Sequence, residues 1–179
     1  MANILRSSGA VADFARGLME AAGLPLGGAD GTAALPDWFP LDENLRILDG
    51  IGRTFGDAAV FEIGSSVPQH AKFPPAIRDL RQALETLDVA FHSNHRRDGA
   101  VMYDPAAGSM LEGIGHYRSS STGSGRLTSD STSVYPCSFD LGLVSGLAAR
   151  FDAAAKVQHP PEGPCRGRGA DSCAYVVLW

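Results

Sequence analysis

Three cysteines, Cys137, Cys165 and Cys173, fall in the last third of the chain. In a reducing compartment an odd count favours metal binding or chemistry over a disulfide framework. The run Glu162-Gly-Pro-Cys165-Arg-Gly-Arg-Gly-Ala-Asp-Ser-Cys173 is a glycine-rich, turn-forming segment with a cysteine at each end of its inner part. Zinc takes about four N, O or S donors in a tetrahedron, and thiolates are its preferred structural ligands. Cys165 and Cys173 supply two, and Cys137, just before a predicted helix, supplies a third if that helix end lies beside the loop. For the fourth donor, Glu162, three residues before Cys165, ranks ahead of His159, which is held off by Pro160-Pro161; water is the remaining option. Two other roles rank below zinc. Cys137 and Cys173 would also serve as small buried apolar residues, and Arg166 and Arg168 would favour a redox-active Cys165 thiolate.

A second concentration of chemistry lies in His92-Ser-Asn-His95-Arg-Arg-Asp98-Gly and in Glu112-Gly-Ile-Gly-His116-Tyr117. His92, His95 and His116 are enough for a three-imidazole metal site. The competing role is electrostatic: His95, Arg96 and Arg97 would meet the negative end of a helix dipole. No Gly-x-Ser-x-Gly elbow, phosphate-cradling loop or dinucleotide fingerprint is present, which counts against ordinary hydrolases and nucleotide enzymes.

Positioning these groups falls to a small set of elements. Val11, Phe14, Leu18 and Met19 have helical spacing, and a loop follows over 24–40. Leu45, Leu48, Ile51 and Phe55 predict a second helix, capped near Asp42 and ended by Gly56. Ser65 to Pro75 is predicted as a loop. Ile77, Leu80, Leu84, Leu87 and Phe91 predict one continuous helix that delivers His92 and stops before the Asp98-Gly99 turn. Residues 100–136 suit an antiparallel meander with turns at Asp104-Pro105 and at Gly123 to Gly125. Leu141, Val144, Leu147 and Phe151 mark a last helix, in which Gly142 and Gly146 admit close backbone contact. Cys173 to Trp179 is nearly all apolar and suits a central strand buried on both faces.

The 179 residues suffice for one domain, 1–179, and no internal repeat divides them. A 44% apolar and 20% charged composition is that of a globular protein. A formal charge of −5 disfavours nucleic acid as a partner. No run approaches a membrane span and the N-terminal segment lacks export features, so a cytoplasmic location is expected.

VYPCSFDLGLVSGLAARF followed by EGPCRGRGADSCAYVVLW resembles the C-terminal half of the 4-vinyl-reductase-type domains, including those of bacterial phenol-responsive regulators. Their Cys, Glu-x-x-Cys, seven residues, Cys pattern falls on Cys137, Glu162, Cys165 and Cys173, and the resemblance implies that these four bind zinc. That superfamily also holds heme-nitric-oxide-binding domains and trafficking-complex (TRAPP) subunits. LRQALETLDVAFH is similar to the helix that carries the proximal histidine of the heme domains, which implies His92 as an axial ligand. HYRSSSTGSGRL is similar to their Tyr-x-Ser-x-Arg signature: Tyr117 and Ser119 match it, and Ser121 stands where the arginine would pair with a heme propionate. Heme therefore ranks below zinc. The expected fold is α+β, with N-terminal helices packed on a C-terminal antiparallel sheet that carries an inserted helix and a zinc loop. The expected function is a small-molecule-binding sensory or regulatory domain for an apolar or aromatic ligand, acting as a homodimer. The alternatives are a heme-based gas or redox sensor and an enzyme of pigment or secondary metabolism.

Overall fold

The computed structural model describes residues 9–21 and 38–179, so most of the loop expected over 24–40 lies outside the described residues. Helix α1, Gly9–Ala21, buries Val11, Ala15 and Met19 along one face. Helix α2, Leu41–Phe55, buries Ile47, Leu48 and Ile51. Its N-cap is Pro40 with no side-chain hydrogen bond, and Asp42 lies inside the first turn, where its charge meets the positive end of the dipole. Gly56, at φ 82°, ends it as expected.

The chain then enters helix α3, Asp57–His70, so most of the loop expected from Ser65 is helical. The signals that suggested a break are absorbed locally. The Ser65 and Ser66 hydroxyls donate back to the carbonyls of Glu62 and Ile63. Pro68 sits in the last turn, and the residue four before it is a glycine, Gly64, which crowds the ring least. The helix expected from Ile77 to His92 is two short ones, α4, Leu80–Glu85, and α5, Leu87–Ser93. Asp79 caps the first by accepting from the Gln82 amide, which leaves Ile77 outside. Thr86, at φ −96° and ψ 0°, forms the joint and turns its hydroxyl back onto the Gln82 carbonyl at 2.9 Å.

The expected meander resolves into three separate hairpins. Strands β1, Arg96–Arg97, and β2, Ala100–Val101, turn at Asp98 and Gly99, both at positive φ. Strands β3, Tyr103–Asp104, and β4, Ser109–Met110, follow. Strand β5, Tyr117–Gly123, pairs with β6, Arg126–Ser131. Only this last pair joins the main sheet, an antiparallel four-stranded sheet in the order β5-β6-β8-β7. Strand β8, Cys173–Leu178, is internal as its apolar run predicts, and Cys173, Tyr175 and Val177 on it have no exposed surface. Edge strand β7, Lys156–Gln158, is too short and polar to stand out in the sequence.

Helix α6, Cys137–Phe151, is the inserted element between β6 and β7, and the architecture is the expected α+β arrangement. It packs on β7 and β8, with α3 laid along its outer side, α2 against α3, and α1 against α2. The α3–α6 crossing is backbone against backbone. A Cβ at Gly64 would stand 2.2 Å from the Phe139 carbonyl oxygen, one at Gly142 2.1 Å from that of Phe61, and one at Gly146 2.2 Å from that of Ser65. The close approach expected at Gly142 and Gly146 is therefore present, with Gly64 as its third member.

Candidate metal centre

Cys137 is the first residue of α6, Cys173 is the first residue of β8, and Cys165 precedes a single 3-10 turn, Arg166–Arg168. Folding brings all three sulfurs together: Cys137 Sγ lies 3.3 Å from Cys173 Sγ and 3.9 Å from Cys165 Sγ. Sulfurs about 2.3 Å from a tetrahedral ion are about 3.8 Å apart, so one separation matches and the other needs a small opening. The turn also aims backbone amides at sulfur, with Arg166 N–H donating to Cys173 Sγ at 3.3 Å and Gly167 N–H to Cys137 Sγ at 3.2 Å. Donors of this kind stabilise thiolates.

The thiols are electrostatically unequal. Burial, with the neighbouring thiols, pushes Cys137 up to about 12. Cys173 is shifted the other way: burial opposes its ionisation, and the Arg166 amide and neighbouring donors outweigh it. Three sulfurs this close do not all ionise without a cation among them, and the arrangement suits a thiolate-loving metal ion.

Glu162 lies exposed in the turn before Cys165, outside the three-sulfur cluster as it stands. His159 is also outside it, with Nε2 3.2 Å from the Pro164 carbonyl oxygen and its ring against Tyr175.

Next to the sulfurs lies a group that sequence inspection missed. Asp140, one turn into α6, has no exposed surface. Its carboxylate accepts from Tyr117 Oη at 2.5 Å, Ser131 Oγ at 2.7 Å and Ser133 Oγ at 2.8 Å, and it forms an ion pair with Arg166. Burial raises the Asp140 pKa, and the three hydroxyls and the guanidinium oppose that rise. The available signal was a lone acid, Asp140, at the head of a mostly apolar helical stretch, Leu141 to Ala149.

His92 is fully buried, its Nδ1 is 2.9 Å from the Asp88 carbonyl oxygen, and its Nε2 has no partner among the described residues. His95 turns away, with Nδ1 on the Phe91 carbonyl and Nε2 3.0 Å from Tyr135 Oη, so it occupies the helix-end role and leaves the three-imidazole grouping. Ser119 donates to the Leu84 carbonyl at 3.0 Å. These residues do not fit a heme as they are arranged. An axial ligand must face a flat chamber, whereas His92 has no accessible surface. Tyr117, which matches the signature, gives its hydroxyl proton to an internal carboxylate.

No family model matches the chain, and no curated protein matches it. Solved structures do. An H-NOX protein from S. oneidensis in the Fe(II)NO ligation state superposes with a TM-score of 0.61 at 15% identity, over 93% of this chain and 89% of that one. The H-NOX domain from Shewanella oneidensis in the Fe(II)CO ligation state gives 0.60 at 14%, over 94% and 89%. A point mutant of T. tengcongensis H-NOX gives 0.51 at 14%, over 92% and 91%. At such identities the likeness is one of fold, and the chain has an H-NOX-like fold.

Proposed function

We propose that the protein is a small-molecule-binding domain of the sensory or regulatory kind, built around a structural zinc ion on Cys137, Cys165, Cys173 and Glu162. The observation that carries the zinc is the three-sulfur cluster with amide donors on two of its members. Glu162 is the fourth donor because its carboxylate has no hydrogen bond or ion pair among the described residues to give up, while His159 is engaged. Four protein donors leave no open position, so the ion holds structure and does not react. It ties the start of α6, the 166–168 turn and the internal strand β8 into one knot.

Support for a small ligand comes from the H-NOX-like fold together with an open cleft of about 440 Å³ beside Cys137. Leu45, Val134, Tyr135 and Pro136 give it an apolar wall, and Asp57 and Arg166 give it polar ends. Such a lining suits an apolar or aromatic compound carrying one polar group. The iron–nitric oxide ligation of the S. oneidensis protein does not carry over, because His92 has no accessible surface to present to a macrocycle.

Elemental analysis after dialysis against a moderate chelator tests the centre. The protein should retain about one zinc; Cys165→Ser and Cys173→Ser should lose it and His159→Ala should keep it. Glu162→Gln, which keeps the shape and removes the charge, should speed its loss. Metal-free protein with three freely titrating thiols and unchanged melting would sink the proposal.

A further inference from the structure

Asp88, His92 and His116 each offer one donor atom, and these atoms lie within 4.8 Å of one another. Asp88 and His92 are one turn apart on α5 and share a face. His116, just before β5, stacks its ring on that of His92, with centroids 4.9 Å apart and planes at 28°. His116 Nδ1 faces Asp88 Oδ2 at 2.9 Å and its Nε2 faces Glu112 Oε2 at 3.0 Å, while Asp88 Oδ1 also accepts from the Tyr117 amide at 3.0 Å. His92 Nδ1 faces two further oxygens, the Asp88 carbonyl at 2.9 Å and Asp88 Oδ1 at 3.3 Å. Its Nε2 is buried without a partner among the described residues, an unsatisfied polar atom that a protein interior penalises.

We propose that Asp88, His92 and His116 hold a second divalent transition-metal ion, separate from the cysteine centre, with Glu112 hydrogen-bonded to His116 and orienting it. Imidazole and carboxylate donors without sulfur suit zinc, cobalt, nickel or ferrous iron. An ion sits about 2.0–2.2 Å from such donors and needs no water-sized void, so packing that excludes a macrocycle still admits it. A carboxylate behind a ligating histidine fixes its ring and raises its basicity, which is the position of Glu112. The site shares no residue with the cysteine centre, and its ion would join α5 to the start of β5.

Cobalt reads the two sites separately, because only the cysteine centre can give a thiolate-to-cobalt charge-transfer band. Tag-free protein is first loaded with one equivalent of zinc and then titrated with Co²⁺. One further equivalent should bind, with visible ligand-field bands and no charge-transfer band. Glu112 has a side chain 79% exposed, so its replacement spares the core and accompanies that of His116, which packs on His92. His116→Ala should weaken the cobalt affinity by at least about 100-fold, and Glu112→Gln by about 10–100-fold. The proposal is overturned if no further equivalent binds, or if His116→Ala changes its affinity by less than about tenfold. In protein loaded with cobalt alone, a charge-transfer band lost from Cys173→Ser while ligand-field bands persist keeps this site and reports on the cysteine centre alone.

Discussion

Asp140 is a carboxylate buried in the interior of an apolar helix, and left alone it would cost several kcal/mol. Arg166 supplies its countercharge from the residue next to Cys165, so one turn provides both a proposed metal ligand and the partner of a buried acid. Arg166→Ala should therefore destabilise the protein by about 3 kcal/mol in urea denaturation, the usual cost of breaking a buried pair from one side. The pH dependence has a definite sign. Burial raises the folded Asp140 pKa above the unfolded value of about 3.9, so the native state takes up the proton more readily and stability falls as pH rises between the two values. Without the guanidinium the folded value climbs further, and acidification through that wider window should return stability to the variant. The cysteine cluster was legible in the sequence because residue type and turn glycines both point to it. Asp140 was not, because its partners Tyr117 and Arg166 lie 23 positions before it and 26 after it.

Gly142 and Gly146 on α6 place their Cα atoms against carbonyl oxygens of α3, and Gly64 reciprocates. A methyl group there meets backbone, which has no rotamer to yield, so the helices must part. Gly142→Ala should cost about 1–3 kcal/mol even though alanine favours the helix, and the loss should appear in the denaturation midpoint. A glycine pair one turn apart is a readable signal, and it foretold this contact. The partner helix was hidden, since Ser65, Ser66 and Pro68 are breakers by local propensity and only the tertiary fit of α3 against α6 outweighs them. Thr86 shows the reverse case. The apolar stripe runs unbroken through it, yet its hydroxyl bonds back into the preceding turn and splits one helix into α4 and α5.

At the scale of the whole chain, the α+β layering followed from helical stripes placed before a Ser- and Thr-rich, glycine-punctuated region and a final apolar strand. The order β5-β6-β8-β7 did not, because a three-residue edge strand carries too little pattern to fix a register. Addition of hemin should give no Soret band assignable to His92, since its ring has no accessible surface to present to a macrocycle. An aromatic compound that fits the cleft beside Cys137 should raise the melting temperature, because binding only to the folded state stabilises it by mass action; a broad thermal-shift screen measures this. The glycine-to-carbonyl crossing has a further consequence for motion. Two helices in backbone contact open and close as one cooperative unit, while the cysteine centre grips only the first residue of α6. Stripping the zinc should therefore speed amide hydrogen exchange along α3, a helix that supplies no ligand, to about the same degree as along α6. Exchange that quickens in the 162–173 turn but stays slow in α3 would show the centre to be a local clasp, whereas paired quickening would make the two helices a single lever with its fulcrum at Cys137.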